Sequence, residues 1–239
     1  MRSKIYPFVT EALSTIEPIV DDSYGPIYRC SATLEDGTFL PCVTLQSRDA
    51  IAHLARLRIT EALQGRSKFR SDDPFGEMVA HFAASGTQVS DYKIRSIGPS
   101  RFAIPLSLMQ QIHGETTMAW TGWVFRMRDG RCFSYGSPFR WDFLDLPDDY
   151  EFSDVAEVIN HSYVDLDGQV KPLRQGSFLP EGYADIHVMR ERIHFVCYVD
   201  GIEAPQMENP PNLSSSFRIV AASAFANAKR RWFSWPSPK

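Results

Sequence analysis

A chain of 239 residues suits one large domain or two small ones, and its 44% hydrophobic content is enough for a buried core. A net charge of −4 excludes a protein coated in basic surface for nucleic acid. No run reaches the roughly 18 apolar residues of a membrane-spanning helix, so no transmembrane segment is expected.

The first residues, Met1 to Glu11, place Pro7 and Glu11 where a secretory signal needs an apolar stretch. Residues 4–16 fit a short helix that stops ahead of Pro18. An Asp-Gly dipeptide then marks the first of four turns: Asp36-Gly37, Asp129-Gly130, Asp167-Gly168 and Asp200-Gly201. Glycine takes positive φ without a Cβ penalty, which hairpin turns require. The first hairpin runs from Ile27 to Leu34, turns at Glu35-Asp36-Gly37, and returns from Thr38 to Leu45. Pro41 offers no amide to a ladder, so it belongs on an edge strand or at a bulge. With a three-residue loop Cys30 faces Cys42; with a two-residue loop it faces Val43.

Ser47 can cap a helix from Arg48 to Leu63, whose apolar face holds Ile51, Leu54, Ala55, Ile59, Ala62 and Leu63. Asp73-Pro74 starts a second helix that closes at Gly86. A helical turn is expected over Leu106–His113. The clearest hairpin follows: Trp120 to Met127, a loop at Arg128-Asp129-Gly130, and Arg131 to Ser137. A three-residue loop sets Phe125 opposite Phe133 and Trp123 opposite Tyr135, four aromatics on one face. Residues 118–143 hold eight aromatics. Trp120 and Trp141 are therefore candidates to line a ligand pocket or partner surface.

The acidic stretch Asp142 to Asp154 lacks the spacing of a calcium loop and reads as a solvated connection. Ser153 then caps a short helix to Asn160. A third hairpin spans Tyr163 to Leu173, and a fourth includes Arg192 to Val199 before Asp200-Gly201. A turn at Arg190-Glu191 would set His187 and His194 opposite each other. Two imidazoles can bind a ligand, but they fall short of the ligand set of zinc, so no metal and no cofactor is expected. Ser214 to Ser216 can cap a last helix to about Lys229. The tail, Lys229 to Lys239, carries four cations and three aromatics. It is expected to dock on the body, with nucleic acid or a membrane surface as the less favoured target.

Cys30, Cys42, Cys132 and Cys197 form no C-x-x-C pair and read as reduced, partly buried thiols of a cytoplasmic protein. No G-x-S-x-G, H-E-x-x-H, Walker or G-x-G-x-x-G pattern occurs. The expected class is α+β: one domain, divisible into two lobes, of antiparallel hairpin-rich sheets with about four flanking helices. The expected function is binding or protein interaction without catalysis, toward a protein partner or a small ligand, with Trp120, Trp141, His187 and His194 as binding residues. The alternative is a hydrolase using histidine with cysteine or carboxylate groups in a cleft.

Overall fold

The computed structural model describes residues 5–21, 25–64, 87–113, 121–137, 142–147, 149–173 and 189–203. Two compact units divide the chain, one of residues 1–106 and 192–210, the other of residues 107–191 and 211–239.

The first unit is built on a five-stranded sheet. Strands β1 (Ile19–Asp21), β2 (Gly25–Leu34), β3 (Phe39–Ser47) and β12 (Phe195–Val199) lie side by side in that order, and β4 (Ile94–Pro99) also pairs with β2. Helix α1 (Pro7–Thr15) starts with proline in its first turn, where no amide partner is needed. It lays Phe8, Val9 and Ala12 on one sheet face, against Tyr28, Cys30, Val43, Leu45, Cys197 and Val199. Helix α2 (Arg48–Leu63) begins where the Ala50 amide donates to Ser47 Oγ at 3.2 Å. Arg48 donates to Asp91 Oδ2 (2.5 Å), Asp200 Oδ2 (3.1 Å) and the Tyr198 carbonyl (2.9 Å). The start of α2 is thereby tied to the end of β12.

The second unit centres on a three-stranded antiparallel sheet, with β5 (Thr121–Met127) between β6 (Cys132–Ser137) and β8 (Val155–Asn160). Phe125 faces Phe133 and Trp123 faces Tyr135, as the three-residue loop requires. All four side chains are buried, and the Trp123 and Tyr135 rings meet edge to face at 5.0 Å. Phe152 and Tyr150 extend this aromatic layer, against Phe125 and Phe133. On the other face Val124 and Cys132 pack on Val164 of β9 (Ser162–Val164), which forms a hairpin with β10 (Val170–Pro172). Strands β7 (Leu144–Asp145) and β11 (Arg190–Glu191) make a further antiparallel pair.

Three hairpins share one loop. Leu34, Met127 and Asp165 each bond the carbonyl four residues on and accept the amide of the glycine three residues on. Gly37, Gly130 and Gly168 supply the positive φ that this loop demands.

Several expectations need correction. The described residues are dominated by strands in several sheets, with three α-helices, α1, α2 and the single turn α3 (Leu106–Met109). This replaces the α+β class with about four flanking helices. The helix expected up to Asn160 is strand β8 beyond a short 3-10 turn, Phe152–Asp154. Val155, Val158 and Ile159 have helical spacing, but β-branched side chains favour a strand and the open edge of β5 offers a ladder. The strand that would return from the fourth turn lies outside the described residues, and the strand before that turn, β12, runs parallel to β3, Cys197 beside Leu45. Cys30 faces Val43 although the loop has three residues, because a bulge between Cys30 and Ala32 shifts the register. Pro41 sits in that bulge, on an interior strand. The helices expected at 74–86 and 214–229, and the tail, lie outside the described residues. Among the described residues no helix is long and apolar enough to cross a membrane.

Candidate functional site

Of the four residues proposed from the sequence, Trp120, Trp141 and His187 lie outside the described residues, while His194 is half-buried just ahead of β12. Arg190-Glu191 is extended and pairs with Leu144–Asp145, so it is not the turn tip that would set His187 against His194. Arg192, two residues before it, takes part in a well-defined site of the first unit.

That site is a turn following β4. Ser100 Oγ donates to the Pro41 carbonyl at 2.6 Å and accepts from the Phe102 amide at 3.3 Å. The bulge at Pro41 presents this carbonyl away from a regular ladder. The far end of the turn is held by Arg29, whose Nη2 donates to the Ile104 carbonyl at 2.5 Å. Arg29 lies on the sheet face opposite α1, paired across the strands with Thr44, and is only 5% exposed. A buried guanidinium persists where carbonyls and other partners receive its protons. The hydrogen bond to Ile104 therefore fixes the turn from below.

The turn displays Phe102. Arg192 stacks over its ring with Cζ at 4.0 Å from the centroid, and Arg101 also stands over it at 5.1 Å. Both distances lie within the range of attraction between a cation and an aromatic face. Next in the chain is Ile193, 82% exposed, then His194. An aromatic residue and two arginines are types enriched at protein interfaces.

A second cluster belongs to the other unit. Tyr135 Oη donates to Glu191 Oε2 at 3.1 Å. The Glu191 carboxyl is raised above the usual range, first by burial and also by the charge of Asp142, while the tyrosine hydrogen bond pulls the other way. The residue as a whole is exposed, while burial is the leading cause of the shift at its carboxyl. Asp142 is itself buried. A carboxyl so placed can hold a proton nearer neutrality than an ordinary glutamate.

Other acids nearby have structural roles. Glu151 and Asp154 cap the Phe152–Asp154 turn reciprocally. Tyr150 Oη donates to Asp129 Oδ2 at 2.5 Å, which holds the Asp129 carboxyl below its ordinary range. Among the described residues no three His, Cys, Asp or Glu side chains gather as metal ligands do.

All four cysteines are free and buried. Cys30 donates to the Val43 carbonyl at 3.4 Å. Burial pushes the Cys30 thiol up to about 12, with Cys197 adding to the shift. Burial and the Asp91 charge push the Cys197 thiol likewise to about 12. At neutral pH both remain thiols, not nucleophilic thiolates.

Comparison with protein-family models, curated proteins and solved structures found no match to this chain.

The sequence reading missed Arg101, Phe102 and Arg192. Arg192 lies some 90 positions from Arg101 and Phe102 in the chain, and no local pattern joins it to them. One signal was present: Arg29 places a charge among Ile27, Tyr28, Cys30 and Ala32 of an interior strand whose residues 27–32 are all buried. A charge there implies a specific partner.

Proposed function

We propose that this protein is a cytoplasmic interaction protein without catalysis of its own, and that it binds through the turn at Phe102. The observation that carries the reading is Ile193, 82% exposed beside an arginine stacked on a pinned aromatic. Leaving an isoleucine in water forfeits roughly 1.5–3 kcal/mol of burial that a partner can recover. The bonds from Arg29 and Ser100 order the turn before binding, which lowers the entropy lost on association.

The test is purification of the full chain from its native cells, beside the double variant Arg101→Ala/Ile193→Asp. The wild type should bring down a stoichiometric partner that the variant loses while melting at the same temperature. A wild type that purifies alone, or a variant that keeps the partner, overturns the reading.

The hydrolase alternative has one observation in its favour, the raised Glu191 carboxyl beside Tyr135 and Asp142. A cysteine nucleophile is not supported at Cys30 or Cys197. Hydrolysis of a panel of ester and peptide substrates, abolished by Glu191→Gln, would favour this alternative. Absence of turnover across the panel would count against it.

A further inference from the structure

Resting on that reading, we propose that the partner offers an acidic peptide segment, with a carboxylate on Arg101 and an apolar side chain against Ile193. Arg101 and Arg192 both stand on one ring, so two positive charges are concentrated over one small surface. The ring's negative face offsets part of their repulsion, and an incoming carboxylate offsets more. The planar guanidinium fork matches a carboxylate in a bidentate pair. Arg101 is the exposed member and takes the carboxylate; Arg192 fixes the ring and adds its field.

The same geometry disfavours other anions. A nucleic acid would draw affinity from many phosphate contacts and from bases stacked on aromatic faces. Here the guanidinium of Arg192 covers a face of Phe102 at stacking distance, so that face is not open to a base. Anionic membranes are recognised by clusters of about four to eight basic residues, more than the two arginines that stand over Phe102 among the described residues. Neither class explains the bare aliphatic side chain of Ile193, next in the chain to Arg192. A short segment with glutamates around a leucine satisfies both features.

The experiment is a nuclear magnetic resonance titration of the full chain with isotope-labelled arginine and isoleucine side chains. The probes are an acetylated Glu-Glu-Leu-Glu-Glu amide, its Gln-Gln-Leu-Gln-Gln counterpart, an oligothymidylate and phosphatidylserine vesicles. The acidic peptide should shift the Arg101 and Ile193 signals saturably, and more weakly as ionic strength rises. The glutamine peptide, and the acidic peptide on Arg101→Gln, should bind roughly tenfold or more weakly. Equal binding of the two peptides, an unaffected Arg101→Gln protein, or tighter binding of oligothymidylate or vesicles overturns the proposal. If the acidic peptide fails while Arg101→Ala/Ile193→Asp still loses the native partner, the acidic chemistry is wrong and the interaction reading stands. If both experiments fail, both readings fall.

Discussion

At Glu191 the physics of one side chain makes a pH-dependent prediction. Its folded carboxyl is raised by burial and by Asp142, so ionisation costs more in the folded chain than in the unfolded one. The stability tied to the protonated form is complete below the ordinary glutamate range and is lost as pH rises through the raised folded value. Glu191→Gln cannot ionise and can still accept from Tyr135. Its melting temperature should therefore gain on the wild type as pH rises from about 4 to about 7. Parallel melting curves across that range would count against the shifted carboxyl.

Two glycines give a paired test at the same scale. Gly130 and Gly201 both have positive φ, 89° and 93°. A Cβ on Gly130 meets nothing within 4 Å, whereas one on Gly201 meets the Ile5 side chain at 3.3 Å. Gly130→Ala should cost about 1 kcal/mol from backbone strain alone, by denaturant unfolding. Gly201→Ala should cost the same or more, depending on how far Ile5 gives way. A Gly201→Ala protein as stable as the wild type would show that the strain is absent. His161 also has positive φ, 52°, at the bend between β8 and β9, where its amide and carbonyl bond Gly122 and Leu173. Histidine is among the residues that tolerate this conformation, and here it lets one strand turn into the next.

Among the elements, the turn after β4 depends most on distant parts of the chain. Arg29 on β2 and Pro41 in the β3 bulge hold its two ends. Arg29→Met keeps much of the buried stem but removes a charged hydrogen bond, and should cost about 2–3 kcal/mol. Its specific signature should be faster amide exchange at Phe102 and Ala103, whose amides both bond Ser100. Loss of stability with unchanged exchange there would mean that Arg29 supports the core and not the turn. The acidic-peptide affinity should fall along with turn order, because pre-organisation is lost. Strand β8 shows how context acts at this scale. Asn160 at its end accepts from the His113 amide and donates to the Gln111 carbonyl, stitching residues 111–113 to the sheet.

At the scale of the molecule, the first unit is discontinuous in sequence. Its fifth strand arrives after the whole central segment, and it places Cys197 and Val199 fully inside the core beneath α1. A chain ending at residue 106 therefore lacks a wall of its core. Such a fragment should show no cooperative thermal transition by circular dichroism, and adding a peptide of residues 192–203 should restore one. A sharp melt of the fragment alone would refute the dependence on β12. Parallel pairing over this separation carries a high loop-closure cost, so β12 is expected to join late in folding.

The local sequence determined the hairpin loops, the aromatic register and the start of α2. Each depends on residues a few positions apart: glycine where φ must be positive, serine before a helix. The placement of Pro41 in a bulge was among the alternatives that proline chemistry allows. Only the tertiary structure decided the rest. Helical spacing at Val155 to Ile159 gave way to the unpaired edge of β5, because a ladder and β-branched packing outweigh a weak helical preference. The parallel seat of β12, the shifted partner of Cys30 and the meeting of Arg101, Phe102 and Arg192 join positions far apart in the chain. Turn signals act within a few residues, while a packed sheet selects its neighbours by surface and register, and one sequence read alone holds no record of that choice.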